Sequence, residues 1–281
     1  MKRASMVLII GVVVFTVAAV SLGDFAYSDF SSTNGLTLTN SATIVNGSVA
    51  RLVAGGAYDT KGALWRTDKQ AVANGFDSQF TFQIVQNQQG RQADGLAFVV
   101  QNDPNGLSAI GATGGGIGYA AYSGQVGIAD SVVVEIDLWD NGQEFADPVL
   151  GTNYQSTRPH ISVQTRGTLQ NSADHAYSLG CVQDTGQLQF TNQLAHTMDL
   201  QYQPGTLNIF VDNASTPTLS VPLNLSGLLS LDNGNAYVGF TSSTGAAGSS
   251  QDLHNWSFQS TPEPASLLLL VLGGLMVRRR R

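Results

Sequence analysis

Glu135 and Asp137 stand one residue apart in the run SVVVEIDLWDNG, residues 131–142, and strand geometry puts two such acids on the same face. Carboxylates held so close repel one another unless they share a proton, as in glycoside hydrolysis, or share a cation. The residues that follow favour the cation. Asn141, Asp147 and His160 complete a set of oxygen and imidazole donors within one short stretch of chain. Carboxylate, amide and carbonyl oxygens suit Ca²⁺, whereas imidazole added to carboxylates suits a transition ion such as Mn²⁺. Two neighbouring ions would account for the crowding of acids.

Short apolar and polar alternations separated by Gly, Asn and Asp must position these donors, because residues 24–260 show no sustained helical period. Phe80, Phe82 and Ile84 alternate in QFTFQIV, and Met198, Leu200 and Tyr202 alternate in HTMDLQYQ. Leu207, Ile209 and Val211 follow the turn at Pro204-Gly205, which predicts an antiparallel hairpin. Trp256 and Phe258 mark a final strand deep in the core. High glycine (31 residues) with only 12% charged residues fits a many-turned β-sandwich, and the length suits one domain. The fold expected is all-β, two antiparallel sheets packed face to face.

The two ends differ from this domain. Residues 1–23 place Lys2 and Arg3 before an apolar run that reaches small residues at Ser21 and Gly23, as a secretory signal peptide does. Residues 261–281 carry Pro262-Glu263-Pro264, a short apolar segment and four terminal arginines. This end resembles the PEP-CTERM sorting tail of Gram-negative bacteria that make extracellular polysaccharide. The resemblance implies export, a transient inner-membrane anchor held by the arginines, and cleavage by a sorting protease. The apolar segment, at 265–277, is short of the ~20 residues of a permanent span.

Without both ends the chain keeps seven basic and nineteen acidic side chains, a net charge of −12. Such a domain repels phosphate backbones, which argues against nucleic acid as partner. Cys181 is the sole cysteine, so an intrachain disulfide is excluded and a small buried hydrophobe is expected there. The other histidines are assigned structural places. His254 is expected to share a core face with Trp256 and Phe258, and His175 and His196 to be structural or solvated.

The stretch from Glu135 to His160 resembles the metal loop of the legume (L-type) lectins, which runs Glu-x-Asp-x-aromatic-x-Asn, then Asp-Pro, then Pro-His-Ile. The resemblance implies a concanavalin A-like jelly roll over residues 24–260. It makes Glu135 and His160 ligands of the transition metal, Asp137 and Asp147 bridges between two ions, and Asn141 with the Trp139 carbonyl the calcium side. The stretch between Asp147 and His160 is longer here than in the plant pattern. QADGLAFVVQ, residues 92–101, resembles the strand whose aspartate accepts sugar hydroxyls, so Asp94 takes that role and the Ala93-Asp94 bond is expected to be cis. GATGGGIGY, residues 111–119, resembles the glycine loop, with Gly115 as the backbone donor. Asn141 would also donate its amide N–H to sugar, and Trp139 would offer it a flat face. Gly245, Ala246 and Ala247 fall in the variable specificity loop. The function implied is reversible, non-enzymatic binding of exopolysaccharide or surface glycan.

Two other classes compete with this reading. A glycosidase on a related sandwich uses Glu-x-Asp-x-x-Glu, but the third place here is Asp140, whose shorter side chain loses the reach that retaining chemistry requires. A matrix or adhesion protein would keep the fold without a sugar site.

Overall fold

The computed structural model describes residues 23–86, 92–139, 159–183 and 188–261. In chain order the strands are β1 (Phe25–Tyr27), β2 (Leu36–Asn40), β3 (Thr43–Val45), β4 (Val49–Val53), β5 (Lys61–Arg66) and β6 (Gln70–Ala71). The long β7 (Phe76–Gln86) is followed by β8 (Gly95–Gln101), β9 (Ser131–Asp137), β10 (His160–Thr165) and β11 (Ser178–Gln183). β12 (Ala195–Gln203), β13 (Thr206–Val211), β14 (Leu219–Val221), β15 (Asn235–Ser243) and β16 (Ser249–Ser260) complete the set. Among the described residues helix is confined to one short α1 (Leu225–Leu228) and a few 3-10 turns.

Among the described residues the strands form two eight-stranded antiparallel sheets. One runs β14-β13-β12-β7-β16-β4-β3, with β1 added on β16; the other runs β11-β10-β9-β8-β15-β5-β2, with β6 added on β15. The hairpin expected around Pro204-Gly205 is β12–β13, and its register sets Met198 opposite Val211, Leu200 opposite Ile209 and Tyr202 opposite Leu207. All six are buried between the sheets, so the alternation visible in the sequence is the alternation of the pleat.

Phe80, Phe98, Phe240, Trp256 and Phe258 fill the centre of that layer. Phe80 stacks on Phe98 at 6.2 Å and meets Phe240 edge-on at 4.8 Å, which joins β7, β8 and β15 across the gap. The second sheet is covered on its other face too. Trp65, Ala97, Val99, Ile117, Tyr119, Ile128 and Val133 form a separate cluster, in which residues from 109–128 fold over β5, β8 and β9. Strands β8 and β9 are therefore buried at every position. That is why SVVVEID reads as an almost continuous apolar run, and why its two acids are enclosed.

His254 departs from expectation. A register shift between Leu253 and Asn255 inserts one residue, so Leu253 and Trp256 both stay buried while His254 is displaced from the core to a half-buried place beside Gln83 Oε1, at 3.1 Å. His196 is structural: its Nδ1 lies 2.7 Å from Asp212 Oδ2 and its Nε2 3.1 Å from Asn192 Oδ1.

Candidate functional site

The period of two along β9 sorts its residues by partner. Val132, Val134 and Ile136 face the inter-sheet core, whereas Val133, Glu135 and Asp137 face the covering loops. Across the sheet, Gly95, Asp137 and His160 are register partners in one row, and Ala97, Glu135, Ser162 and Cys181 in the next. Pairing alone thus brings both acids and His160 to one sheet face, although 22 residues separate Asp137 from His160.

Glu135 is fully buried. Its Oε2 accepts the Tyr119 hydroxyl; its Oε1 accepts Ser162 Oγ and, at 3.2 Å, Gln164 Nε2. His160 Nε2 lies 3.6 Å from the same Oε1. Burial works against the ionised form, but the His160 imidazole, then His175 and Ser162, hold Glu135 below the usual carboxylate range. Asp137 differs. It accepts the Trp139 N–H at Oδ1, 2.7 Å, and burial beside Glu135 and Asp94 pushes its pKa well above the usual range. A buried, under-compensated carboxylate next to a carboxylate and an imidazole is what a cation would correct, so the residues present fit a metal. Asn141 and Asp147, the other expected ligands, lie outside the described residues.

Asp94 begins a different surface. The Ala93-Asp94 peptide is cis. The Ala93 carbonyl accepts Ser249 N–H at 3.1 Å and Gln251 Nε2 at 3.0 Å; Asp94 N–H donates to Ser243 O at 3.0 Å, and Leu138 N–H to Asp94 O at 2.8 Å. These bonds tie the Ala-Asp step to β16, to the end of β15 and to the exit of β9. Gly95 has no room for a side chain, since a Cβ there would stand 2.3 Å from Ile136 O. Asp94 itself is 4% exposed and its Oδ2 has no hydrogen-bond partner. Burial, offset by the Gly245 amide and reinforced by Asp59, raises its pKa to about 7.

That carboxylate lies on a cleft of about 670 Å³. Gly115, Trp139, Gly245, Ala246 and Ala247 line the same cleft, so the structure brings together with Asp94 every sugar-site residue expected from the sequence that lies in a described segment. The glycine loop is fastened to the β15 end by Gly114 N–H to Thr244 O, 3.1 Å, and Ser243 Oγ to Gly114 O, 2.8 Å. Gly245 permits this closeness, because a Cβ would come within 3.1 Å of both Asp94 Oδ2 and Gly114 Cα. Trp139 is 39% exposed, an apolar face presented to solvent.

Sequence reasoning missed part of the wall. Asp59, Lys61, Thr113, Tyr122, Ser123 and Gln125 also line the cleft. Lys61 Nζ donates to Gly111 O at 2.7 Å and to Gln125 Oε1 at 3.2 Å, bracing the loop from below. Tyr119, within a segment already singled out, was missed as the donor to Glu135. His175 takes the structural of its two expected places: it is buried in the 3-10 turn His175–Tyr177, its ring 4.7 Å from that of His160, because the turn folds back over β10. Glu135 does not line the cleft, which removes it as a nucleophile or acid toward anything bound there.

The geometry agrees with the comparisons. A family model described as the legume lectin domain matches residues 22–268. The rice protein "L-type lectin-domain containing receptor kinase SIT1" is 27% identical over 300 aligned positions, which cover 99% of this chain and 42% of that protein. The chain therefore spans less than half the length of this relative. Among solved structures, the Bauhinia forficata lectin in complex with GalNAc superposes with a TM-score of 0.65 at 22% identity, over 85% of this chain and 97% of that one. The VIP36 exoplasmic/lumenal domain, in its Ca²⁺/Man3GlcNAc-bound form, superposes with a TM-score of 0.60 at 14% identity, over 86% and 91%. At these identities the superpositions speak for the jelly-roll sandwich, and the family match for the kind of protein. This chain belongs to the legume lectin domain family, a family of non-enzymatic carbohydrate-binding domains.

Proposed function

We propose that the chain binds carbohydrate reversibly and in a metal-dependent way, at the cleft floored by Asp94. The observation that carries this reading is the Asp94 carboxylate itself: nearly enclosed, tied down at the backbone on three sides, with one oxygen unpartnered at a cleft wall. An ionised carboxylate is an acceptor with several lone-pair sites, which suits a pair of sugar hydroxyls. Gly115 would present its N–H, Trp139 its ring face and Asn141 its side-chain amide. Ala246 and Ala247 would bound the pocket without filling it.

Asp137, Asp147, Asn141 and the Trp139 carbonyl would hold Ca²⁺, and Glu135, Asp137, Asp147 and His160 a transition ion, Mn²⁺ or another. Bound cations would neutralise the crowded carboxylates and fix the chain that leaves β9. Asp137 accepts the Trp139 N–H while Leu138 donates to Asp94 O, so the chain leaving β9 reaches both the metal side and the sugar side. Burial alone disfavours the ionised form of Asp94, and cations bound beside Asp137 would favour it where sugar hydroxyls would meet the carboxylate.

The target we favour is exopolysaccharide or a surface glycan, on the sorting-tail resemblance of residues 261–281, which with the signal-like residues 1–23 lies outside the described residues apart from Gly23 and Thr261. By the same reading the chain is exported to the cell surface of a Gram-negative bacterium through a transient membrane anchor and a sorting protease. A single shallow cleft binds weakly, so avidity from repeated sugar units would matter. A glycan array probed with Ca²⁺ and Mn²⁺ tests the reading. Retention on a defined set of sugars, abolished by chelator and by Asp94→Ala, is the expected result; metal-loaded protein that ignores the whole panel would remove it.

A further inference from the structure

We infer that the transition-ion site of this chain is a mixed imidazole–thiolate site, built by His160, His175 and Cys181, which takes Zn²⁺ in preference to Mn²⁺. The inference rests on the metal half of the proposed function and revises it: Glu135 and His160 are kept, and His175 and Cys181 stand in place of Asp137 and Asp147 on the transition ion. Its new parts are His175 and Cys181.

The placement follows from register. Ser162 is the cross-strand partner of both Glu135 and Cys181, so the three share a sheet face, and His160 stands on that face two residues earlier along β10. His175 arrives from the turn before β11, where the Asp174 side chain accepts the Ala176 N–H and sets the backbone. The result is one ligand atom from each of His160, His175 and Cys181, all within 4.8 Å of one another and all three residues buried. Movements of about 1 Å would close them on an ion whose ligand distances are ~2.0–2.3 Å. Glu135 Oε1, 3.6 Å from His160 Nε2 on the same sheet face, would supply a fourth, oxygen ligand.

Donor chemistry selects the ion. Carboxylates and water suit Mn²⁺, whereas imidazole with thiolate suits Zn²⁺, which also lies above Mn²⁺ in the general affinity order of divalent ions. Binding would require Cys181 to be a thiolate, its proton passing to solvent as the ion enters. The second carboxylate, Asp137, is left to the calcium side.

Cobalt substitution of the chelator-stripped full chain tests this, because Cys181 is the sole cysteine and any thiolate-to-cobalt charge-transfer band must come from it. Wild type should take up Co²⁺ with that band and lose it on adding Zn²⁺ but not on adding Mn²⁺. Cys181→Ser should lose the band. His175→Gln should keep it while Co²⁺ and Zn²⁺ affinity falls at least ~10-fold. Cobalt bound without the band, no cobalt bound, or displacement by Mn²⁺ as readily as by Zn²⁺ would each overturn the inference, and the wild-type spectrum suffices should a variant not fold. Sugar retention in calcium alone, measured on the same preparations, separates the two readings. Retention without the band removes the zinc site and leaves the carbohydrate reading; the band without retention does the reverse.

Discussion

The two faces of β9, a strand of seven residues, are built from alternate side chains and do opposite work. Val132, Val134 and Ile136 meet aromatic and aliphatic side chains from the facing sheet, where no polar atom needs a partner. On the other face Glu135 and Asp137 are just as buried, yet each must be compensated: Glu135 by Tyr119, Ser162, Gln164 and His160, Asp137 by little within the described residues beyond one backbone N–H. The first face draws its stability from area removed from water, the second from the completeness of its polar partners. A strand enclosed on both sides can therefore serve as core and as cation holder at once.

The comparison breaks most sharply at the apolar face. Phe80→Ala, opening a hole between β7, β8 and β15, should cost ~3–5 kcal/mol in urea unfolding, while the fraction that stays folded keeps its sugar binding. Equal loss of sugar binding per folded molecule would mean that the two faces are not separable. On the polar face, Glu135→Ala strands the Tyr119 hydroxyl, Ser162 Oγ and Gln164 Nε2 without their shared acceptor. A smaller stability loss, ~1–3 kcal/mol, is expected together with loss of the transition ion by elemental analysis. Unchanged metal content would detach Glu135 from the site.

A third effect is read from pH. The folded chain holds Asp94 at about 7, above the 3.8 of the free side chain. Between those values the unfolded chain loses its proton while the folded chain keeps it, so this group lowers stability as pH rises from about 4 to about 7, after which its contribution is level. In chelator, Asp94→Asn should lack that slope, so its melting temperature relative to wild type should rise by several degrees between pH 4 and pH 8. Parallel melting curves across that range would contradict the enclosed, under-compensated carboxylate.

Much of this was legible because the signals are local. The alternation in QFTFQIV and HTMDLQYQ gave the strands, and the motifs around Asp94, Gly115 and residues 245–247 gave cleft residues that the structure brings to one place. What escaped depends on insertion or distance. The bulge beside His254 adds one residue and reverses the parity that period-two reasoning relies on. The approach of His175 to His160 needs a turn to fold back over β10, and the bond from Tyr119 to Glu135 needs the loop over β9; neither leaves a mark in local spacing. Lys61 was hidden for a plainer reason, since a lone lysine at the start of a strand has no chemical signature until the loop it braces is in place.

The central claim is that cation and sugar sites are coupled through the short link from Asp137 to Asp94. Coupling between two binding sites is reciprocal, so the calcium affinity of the full chain, measured by titration with and without a saturating sugar taken from the array, tests it directly. Calcium should bind more tightly with sugar present, by the same factor by which calcium strengthens sugar binding. An identical calcium affinity in the presence and absence of bound sugar would contradict the account.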